Sequence, residues 1–344
     1  MSDSLIFRII EIKKDNAIKL FNYADAAKAI ELMLNNYAAF LSEDKTNELK
    51  NELKIWSALK DEPAQKITKT QQQVIKMSQD KAGLKNLGIS FSKDTIPFIF
   101  DTGANISTVT KSTAQKMNMK LIPVDIEVGS ITGGTVNAQL GISMEFKLGD
   151  IEIHNAVFLV FNDSSLYFPH IEYQINGILG FPVIEALEEI QITQDDYFII
   201  PESNTNRNFK KNMDFDELTP LIYIDQMHFT FNTGADKSML YSTYYHKNKE
   251  SIDENYQLTK LKYGGAGGVV ETEGFNIDFR FQLAEENISL PETMLLIRPR
   301  KSEEKVYGNI GQDVIGHFNR MTINFKQMFI KFDEPVSVLD EGLN

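Results

Sequence analysis

Residues 100–105, Phe-Asp-Thr-Gly-Ala-Asn, recur 131 positions later as Phe-Asn-Thr-Gly-Ala-Asp at residues 231–236, so the chain carries one six-residue loop twice. Two further motif pairs keep the same interval: Gly133-Gly134 with Gly264-Gly265, and Ile178-Leu179-Gly180 with Asn309-Ile310-Gly311. Three separated motifs at one interval indicate an internal duplication, and each copy is long enough to form a small domain. The sequence therefore predicts two like-folded halves.

Strand patterns dominate both copies. Residues 96–100 and 227–231 place apolar and aromatic side chains at alternate positions, as a half-buried strand does. Further strands are predicted at 143–148, 156–161, 277–281 and 293–297. Short helices are predicted after the loops and glycine motifs, at 110–117, 182–188 and 313–319.

Taken together, these motifs resemble the aspartic peptidases of the pepsin and retropepsin type. The resemblance rests on an Asp-Thr-Gly loop, a glycine-bearing flap about 30 residues later, and an apolar-apolar-Gly motif before a short helix. It implies a mainly β, bilobal acid-protease fold of two retropepsin-like β-barrel lobes fused in one chain. Five segments are expected: a helical region at 1–83, lobes at 84–200 and 218–334, a linker at 201–217 and a tail at 335–344.

The resemblance also assigns roles to residues of both copies. Asp101 and Asn232 take the two catalytic positions, which hold a water molecule over a substrate peptide bond. The loop residues expected to support them are Thr102, Gly103, Ala104, Thr233, Gly234 and Ala235. The flap residues expected to cover the peptide are Thr132, Gly133, Gly134, Tyr263, Gly264, Gly265, Ala266, Gly267 and Gly268. The run of glycines makes the second flap the more mobile one.

Asn232 departs from the family pattern, which has a carboxyl at this position. Its carboxamide has nearly the same shape but no proton to exchange, so the pair cannot cycle between acid and base. We therefore expect very little peptide hydrolysis but retained peptide binding. Three explanations stay open: an engineered substitution, which the intact surroundings favour, a natural non-catalytic peptide-binding or scaffolding module, or a site that uses one Asp and a different helper.

Ala104 and Ala235 stand where pepsins usually carry Ser or Thr. A hydroxyl there bonds the carboxylate and favours its ionised form. Its absence predicts higher pKa values for a dyad restored at position 232, and an activity optimum at mildly acidic to neutral pH.

The first 83 residues differ in composition, with one glycine and many Ala, Leu, Lys and Glu residues. Apolar spacing predicts one long helix over 20–41, a second over 49–59 and a third over 71–78, with a strand at 5–12. This region either packs on the lobes or contacts a protein partner.

Composition restricts partners and cofactors. The net charge is −13, which argues against nucleic-acid binding, and no apolar run could span a membrane. The chain has no cysteine and five histidines without ligand spacing, so we predict no metal and no cofactor. The acidic pairs at 188–189 and 195–196 are interpreted as solvated faces. We expect a monomer, located in the periplasm or at the cell surface after loss of a leader, or otherwise in the cytoplasm.

Overall fold

The computed structural model describes residues 2–129, 135–205, 209–265, 268–283, 285–299 and 304–335. The α-helices are α1 (Asp3–Lys19), α2 (Tyr23–Asn36), α3 (Glu43–Leu59), α4 (Lys111–Lys116), α5 (Phe181–Ala186), α6 (Ser242–Lys247), α7 (Lys249–Asn255) and α8 (Gln312–Ile315). Short 3-10 turns lie at Ala38–Phe40, Asp163–Leu166 and Pro169–Ile171.

Strands make up most of the rest. In chain order they are β1 (Lys66–Thr68), β2 (Gln73–Lys76), β3 (Ser78–Gln79), β4 (Lys85–Phe91), β5 (Asp94–Phe100), β6 (Ser107–Thr110), β7 (Lys120–Gly129), β8 (Thr135–Leu148), β9 (Ile151–Phe161), β10 (Tyr167–Phe168), β11 (Tyr173–Gln174), β12 (Gly177–Leu179), β13 (Glu189–Thr193), β14 (Tyr197–Ile200), β15 (Met213–Asp216), β16 (Thr219–Ile224), β17 (Met227–Phe231), β18 (Met239–Leu240), β19 (Thr259–Gly265), β20 (Gly268–Leu283), β21 (Glu286–Leu296), β22 (Gly308–Ile310), β23 (Phe318–Asn324) and β24 (Phe329–Pro335). The expected mainly β fold with an N-terminal helical region is confirmed.

Two large sheets follow the duplication. The first runs β1-β9-β6-β12-β5-β4-β8-β7, with β3 on β4, and a further pairing of β8 with β9 closes six of its strands into a barrel. The second runs β15-β16-β17-β22-β18-β21-β20-β19. In both sheets the strand before the six-residue loop pairs in parallel with the strand of the apolar-Gly motif, β5 with β12 and β17 with β22.

A third sheet joins the two copies. Its order is β2-β14-β13-β23-β24, so the strands that follow each apolar-Gly motif meet at its centre. Phe198 and Phe329, which are 131 residues apart, are both buried there. We call this the bridging sheet. Strand β10 pairs separately with β11.

The helical region differs from its sequence prediction in three places. Residues 5–12 form part of α1 rather than a strand, because Ser2 caps the helix and Ile10, Lys14, Ala17 and Ile18 bury one helical face. The long helix predicted over 20–41 is shorter, since α2 begins after the Asn22 cap and ends at Asn36. The second predicted helix is confirmed as α3.

The third helix predicted over 71–78 is wrong. This segment forms β2 and β3, and β2 pairs with β14 at the edge of the bridging sheet. Its two β-branched residues, Val74 and Ile75, favour a strand, and sheet pairing outweighs the helical spacing. The predicted linker 201–217 similarly contains a strand, β15, which pairs with β16.

A buried ion-pair cluster attaches the helical region to the second copy. The ammonium of Lys14 in α1 lies 3.3 Å from a Glu52 oxygen in α3 and 3.1 Å from a Glu217 oxygen in the β15–β16 turn. Only 3% of the Lys14 side chain is exposed. Burial opposes its charge, but Glu52, Glu217 and Asp15 outweigh that effect, so the pKa of Lys14 is raised.

Helix α3 also holds an edge of the first sheet. Asn51 donates its side-chain N–H to the Glu127 carbonyl at 2.7 Å and accepts the Glu127 backbone N–H at 3.0 Å. These bonds take the place of a neighbouring strand beside β7, which is the edge strand of this sheet. The helical region therefore restrains strand β7. No helix within the described ranges is long and apolar enough to cross a membrane.

Candidate active site

The two six-residue loops meet in equivalent environments. Asp101 follows β5 and donates its backbone N–H to the Leu179 carbonyl at 3.1 Å, and Asn232 follows β17 and donates to the Ile310 carbonyl at 2.9 Å. The first acceptor lies in β12 and the second in β22. Each loop is thus fixed by the apolar-Gly motif of its own copy.

The threonines lock the loops to one another. Thr102 donates its hydroxyl to the Phe231 carbonyl at 2.7 Å, and Thr233 donates to the Phe100 carbonyl at 2.9 Å. The Thr102 hydroxyl also accepts the Thr233 backbone N–H at 3.0 Å, and the Thr233 hydroxyl accepts the Thr102 backbone N–H at 3.1 Å. Both threonines are buried. Four reciprocal hydrogen bonds therefore hold positions 101 and 232 in a fixed relation.

The loop glycines allow the two functional side chains to approach the opposite loop. A Cβ atom at Gly103 would lie 2.5 Å from Asn232 Cγ, and one at Gly234 would lie 2.1 Å from Asp101 Cγ. Carbon atoms do not approach this closely, so no larger residue fits at either position without displacing Asp101 or Asn232.

The backbone fixes the orientation of both functional groups. Gly103 donates its N–H to Asp101 Oδ1 at 2.7 Å, and Gly234 donates to Asn232 Oδ1 at 2.7 Å. Because the Asn232 oxygen is used in this way, its Nδ2 group is the free end of the carboxamide, and it is a donor. The site therefore combines one carboxyl with one amide donor.

The pKa of Asp101 lies above the ordinary range of a carboxyl. Burial raises its pKa from 3.8 to about 6, against the opposing effect of the backbone N–H groups of Gly103, Gly234 and Ala104. Part of the Asp101 residue remains exposed, so solvent still reaches it. A carboxyl with this pKa can both hold and release a proton at mildly acidic pH.

Two serines support the loops and were missed in the sequence. Ser107 accepts the Gly180 N–H at 3.0 Å, and Ser238 accepts the Gly311 N–H at 3.0 Å. The serines are again 131 residues apart, so the repeat interval was a signal that could have found them. Ser238 also donates to Asp313 at 2.7 Å.

The flap predictions are covered only in part. Thr132, Gly133, Gly134, Ala266 and Gly267 lie outside the described residues. Tyr263, Gly264 and Gly265 end β19, and Gly268 begins β20, in a hairpin where Tyr263 pairs with Val270 and Gly265 with Gly268. Tyr263 is half-buried and packs against Met239, Tyr241, Leu261 and Leu296.

Within the described residues, one acidic cluster outside the loops has the spacing of a cation site but is already paired with lysines. Oxygens of Glu48, Glu52 and Glu217 lie within 4.8 Å of one another, but Lys14 and Lys45 already pair with them.

Glu189, predicted to lie on a solvated face, is instead fully buried and accepts hydrogen bonds from Thr205 and Asn324. Its position in the centre of the bridging sheet explains the error, because β13 pairs there with β23 of the other copy.

Comparisons with known proteins give a family match over part of the chain. Residues 88–183 match the family model described as aspartyl protease, a span that includes Asp101 and Gly180 but not Asn232. No curated protein matches the sequence. Similar solved structures include conglutin gamma, a basic 7S globulin from lupine seeds, at 9% identity, 77% coverage of this chain, 95% coverage of that one and a TM-score of 0.47. Basic 7S globulin from soybean matches at 10% identity, 80% and 98% coverage and a TM-score of 0.47.

Proposed function

We propose that this chain is an aspartic-peptidase-like protein with two lobes, residues 84–200 and 218–334, and a peptide-binding cleft between them. The observation that carries the proposal is the pair of facing loops, which four reciprocal hydrogen bonds join through Thr102 and Thr233. The aspartyl protease match over residues 88–183 supports this function for the first copy. The flap hairpins β7–β8 and β19–β20 would cover the bound peptide.

In this mechanism, a water molecule lies between Asp101 and residue 232. Above a pH of about 6 the Asp101 carboxylate can accept a proton from that water as it attacks the peptide carbonyl. The Nδ2 group of Asn232 can donate a hydrogen bond to the carbonyl oxygen, on which negative charge develops. It has no proton to transfer, however, so the acid half of the reaction is missing.

The chain as it stands should therefore bind peptides and hydrolyse them poorly. Loss of an essential acid or base costs several orders of magnitude in rate in other enzyme classes. Binding depends on the cleft and flaps, which the change from carboxyl to carboxamide leaves in place.

A second candidate is a peptide-binding module without catalysis. It is favoured by the fit of Asn232, whose carboxamide accepts the Gly234 N–H at 2.7 Å as Asp101 accepts that of Gly103. Such a satisfied amide is compatible with a natural asparagine, an engineered one, or a site that uses Asp101 with another helper. The codon at position 232 in the source genome separates the engineered from the natural case.

One experiment separates the two functions. The parent chain and Asn232→Asp are each incubated with a library of peptides, and both bound and cleaved peptides are identified by mass spectrometry. A latent peptidase gains internal cleavage in Asn232→Asp while both forms bind the same peptides. Binding by both forms without cleavage by either supports the non-catalytic module, and absence of binding by both contradicts the shared cleft.

The remaining expectations extend this proposal. The chain acts as a monomer, without metal or cofactor, on peptide or protein substrates, and it does not bind nucleic acid. A protein partner of the helical region, and the location in the periplasm, at the cell surface or in the cytoplasm, stay predictions that sizing in solution and fractionation of the source cells would test.

A further inference from the structure

A cavity of about 100 Å³ lies beside the paired loops, against the bridging sheet. Its apolar wall includes Met77, Phe100, Ile192 and Ile315, and its polar wall includes Thr233, Gln312 and the ion pair of Lys85 with Asp196. Neither Asp101 nor Asn232 lines it, nor does any residue of β7, β8, β19 or β20. It is therefore a separate space from the proposed peptide cleft.

The duplication shows what fills the equivalent space in the other copy. Gln312 corresponds to Phe181, because each donates its backbone N–H to the loop alanine of its own copy, at 2.9 Å for Gln312 and 2.8 Å for Phe181. The cavity residue Gln194 likewise corresponds to Phe325, since Gln194 donates to the Asn319 carbonyl and Phe325 to the Glu188 carbonyl, both at 2.9 Å.

Aromatic rings occupy the equivalent space. The centroid of Phe181 lies 5.9 Å from that of Phe325, at 88° between the ring planes, and 5.3 Å from that of Phe215. Phe181 is fully buried. The rings of Phe181 and Phe325 thus fill the space at one position, whereas Gln312 and Gln194 stand at the equivalent position and line the cavity.

The polar group of Gln312 indicates the chemistry of a ligand. Its Nε2 donates to the Thr233 carbonyl at 2.6 Å, which leaves Oε1 as a hydrogen-bond acceptor. No donor to Oε1 is found within the part of the chain that the structure describes. A ring would pack on Phe100, Ile192 and Ile315, and a hydroxyl or amino group on that ring could donate to Oε1.

We propose that this cavity is a binding site for a small aromatic molecule that carries one hydrogen-bond donor, of which phenol is the simplest. The volume of about 100 Å³ is about two-thirds of the roughly 150 Å³ of an apolar cavity that accommodates benzene, so the ligand is limited to a single ring that extends partly into the cavity mouth. The exposed residues Gln194 and Gly316 line this cavity's mouth, so that part of a ring can reach beyond it.

The test measures phenol and toluene binding to the full chain by ligand-observed NMR and calorimetric titration. The parent chain is expected to bind phenol saturably and about tenfold more tightly than toluene, as one additional hydrogen bond provides. Gln312→Leu, which keeps an apolar wall but removes the acceptor, should lose this preference for phenol. Gln115→Leu makes the same chemical change at an exposed position of α4 and should leave both affinities unchanged.

Gln312→Phe provides the second arm, since it reproduces the residue at the equivalent position of the first copy. It should fill the cavity and abolish saturable binding of both ligands, with folding checked by circular dichroism. If Gln312→Phe does not fold, the selectivity of Gln312→Leu decides the question alone. The proposal is overturned if the parent chain binds neither ligand saturably, or if Gln312→Leu retains the full preference for phenol.

Discussion

Replacement of Thr233 by valine should measure how much the paired loops contribute to the stability of the fold. Valine has the same shape as threonine but no hydroxyl, so the Phe100 carbonyl and the Thr102 N–H both lose a partner. Both threonines are almost inaccessible, with 0% of Thr102 and 2% of Thr233 exposed, and water cannot easily replace the lost bonds. At about 1–3 kcal/mol for each buried group left unpaired, Thr233→Val should cost about 2–6 kcal/mol.

The matched control is Thr233→Ser, which retains the hydroxyl and loses one methyl group. Its expected cost is about 1 kcal/mol, from the apolar surface that is no longer buried. Urea unfolding of the three proteins, followed by circular dichroism, gives the free energies from their midpoints and slopes. If valine and serine cost the same, the hydroxyl bonds do not hold the loops together and the reasoning fails.

Two further predictions concern buried charges. Because burial raises the pKa of Asp101 to about 6, protonation stabilises the folded state below its unfolded pKa, and this stability is lost as pH rises through about 6. The free energy of unfolding of Asp101→Asn, relative to that of the parent, should therefore rise by about 3 kcal/mol as the pH is raised from about 4 to about 7. Urea unfolding at both pH values measures this difference, and a difference that does not change with pH would contradict the shifted pKa. Lys14→Met should cost about 3 kcal/mol, at the low end for a broken buried ion pair, because Glu52 loses its cation while the partly exposed Glu217 keeps Lys45. The triple variant with Glu52→Gln and Glu217→Gln should recover most of that loss, and equal unfolding midpoints for the single and triple variants would count against the ion-pair account.

The repeat interval made much of the central geometry predictable from the sequence. It located both loops, their threonines and the apolar-Gly motifs, and the structure brings these together through the bonds of Thr102 and Thr233. The same interval also relates Ser107 to Ser238, a signal in the sequence that was not used.

Other features depended on contacts that local patterns do not encode. Residues 5–12 and 71–78 have mixed apolar spacing, and neighbouring helices or strands decided their conformations. Glu189 looked like a surface residue because its partner Asn324 is 135 positions away in the sequence. The cavity beside Thr233 likewise arises only where the two copies meet.

The latent peptidase site is tested by the rate at which Asn232→Asp cleaves one internally quenched peptide, compared with the rate of the parent chain at about pH 6. We expect a gain of about a thousandfold or more, because a carboxyl restores the missing acid beside Asp101. Adding Asp101→Asn to that variant moves the single carboxyl to the other loop and should abolish the gain. Equal rates for the parent and a correctly folded Asn232→Asp would contradict the claim that positions 101 and 232 form a latent peptidase site.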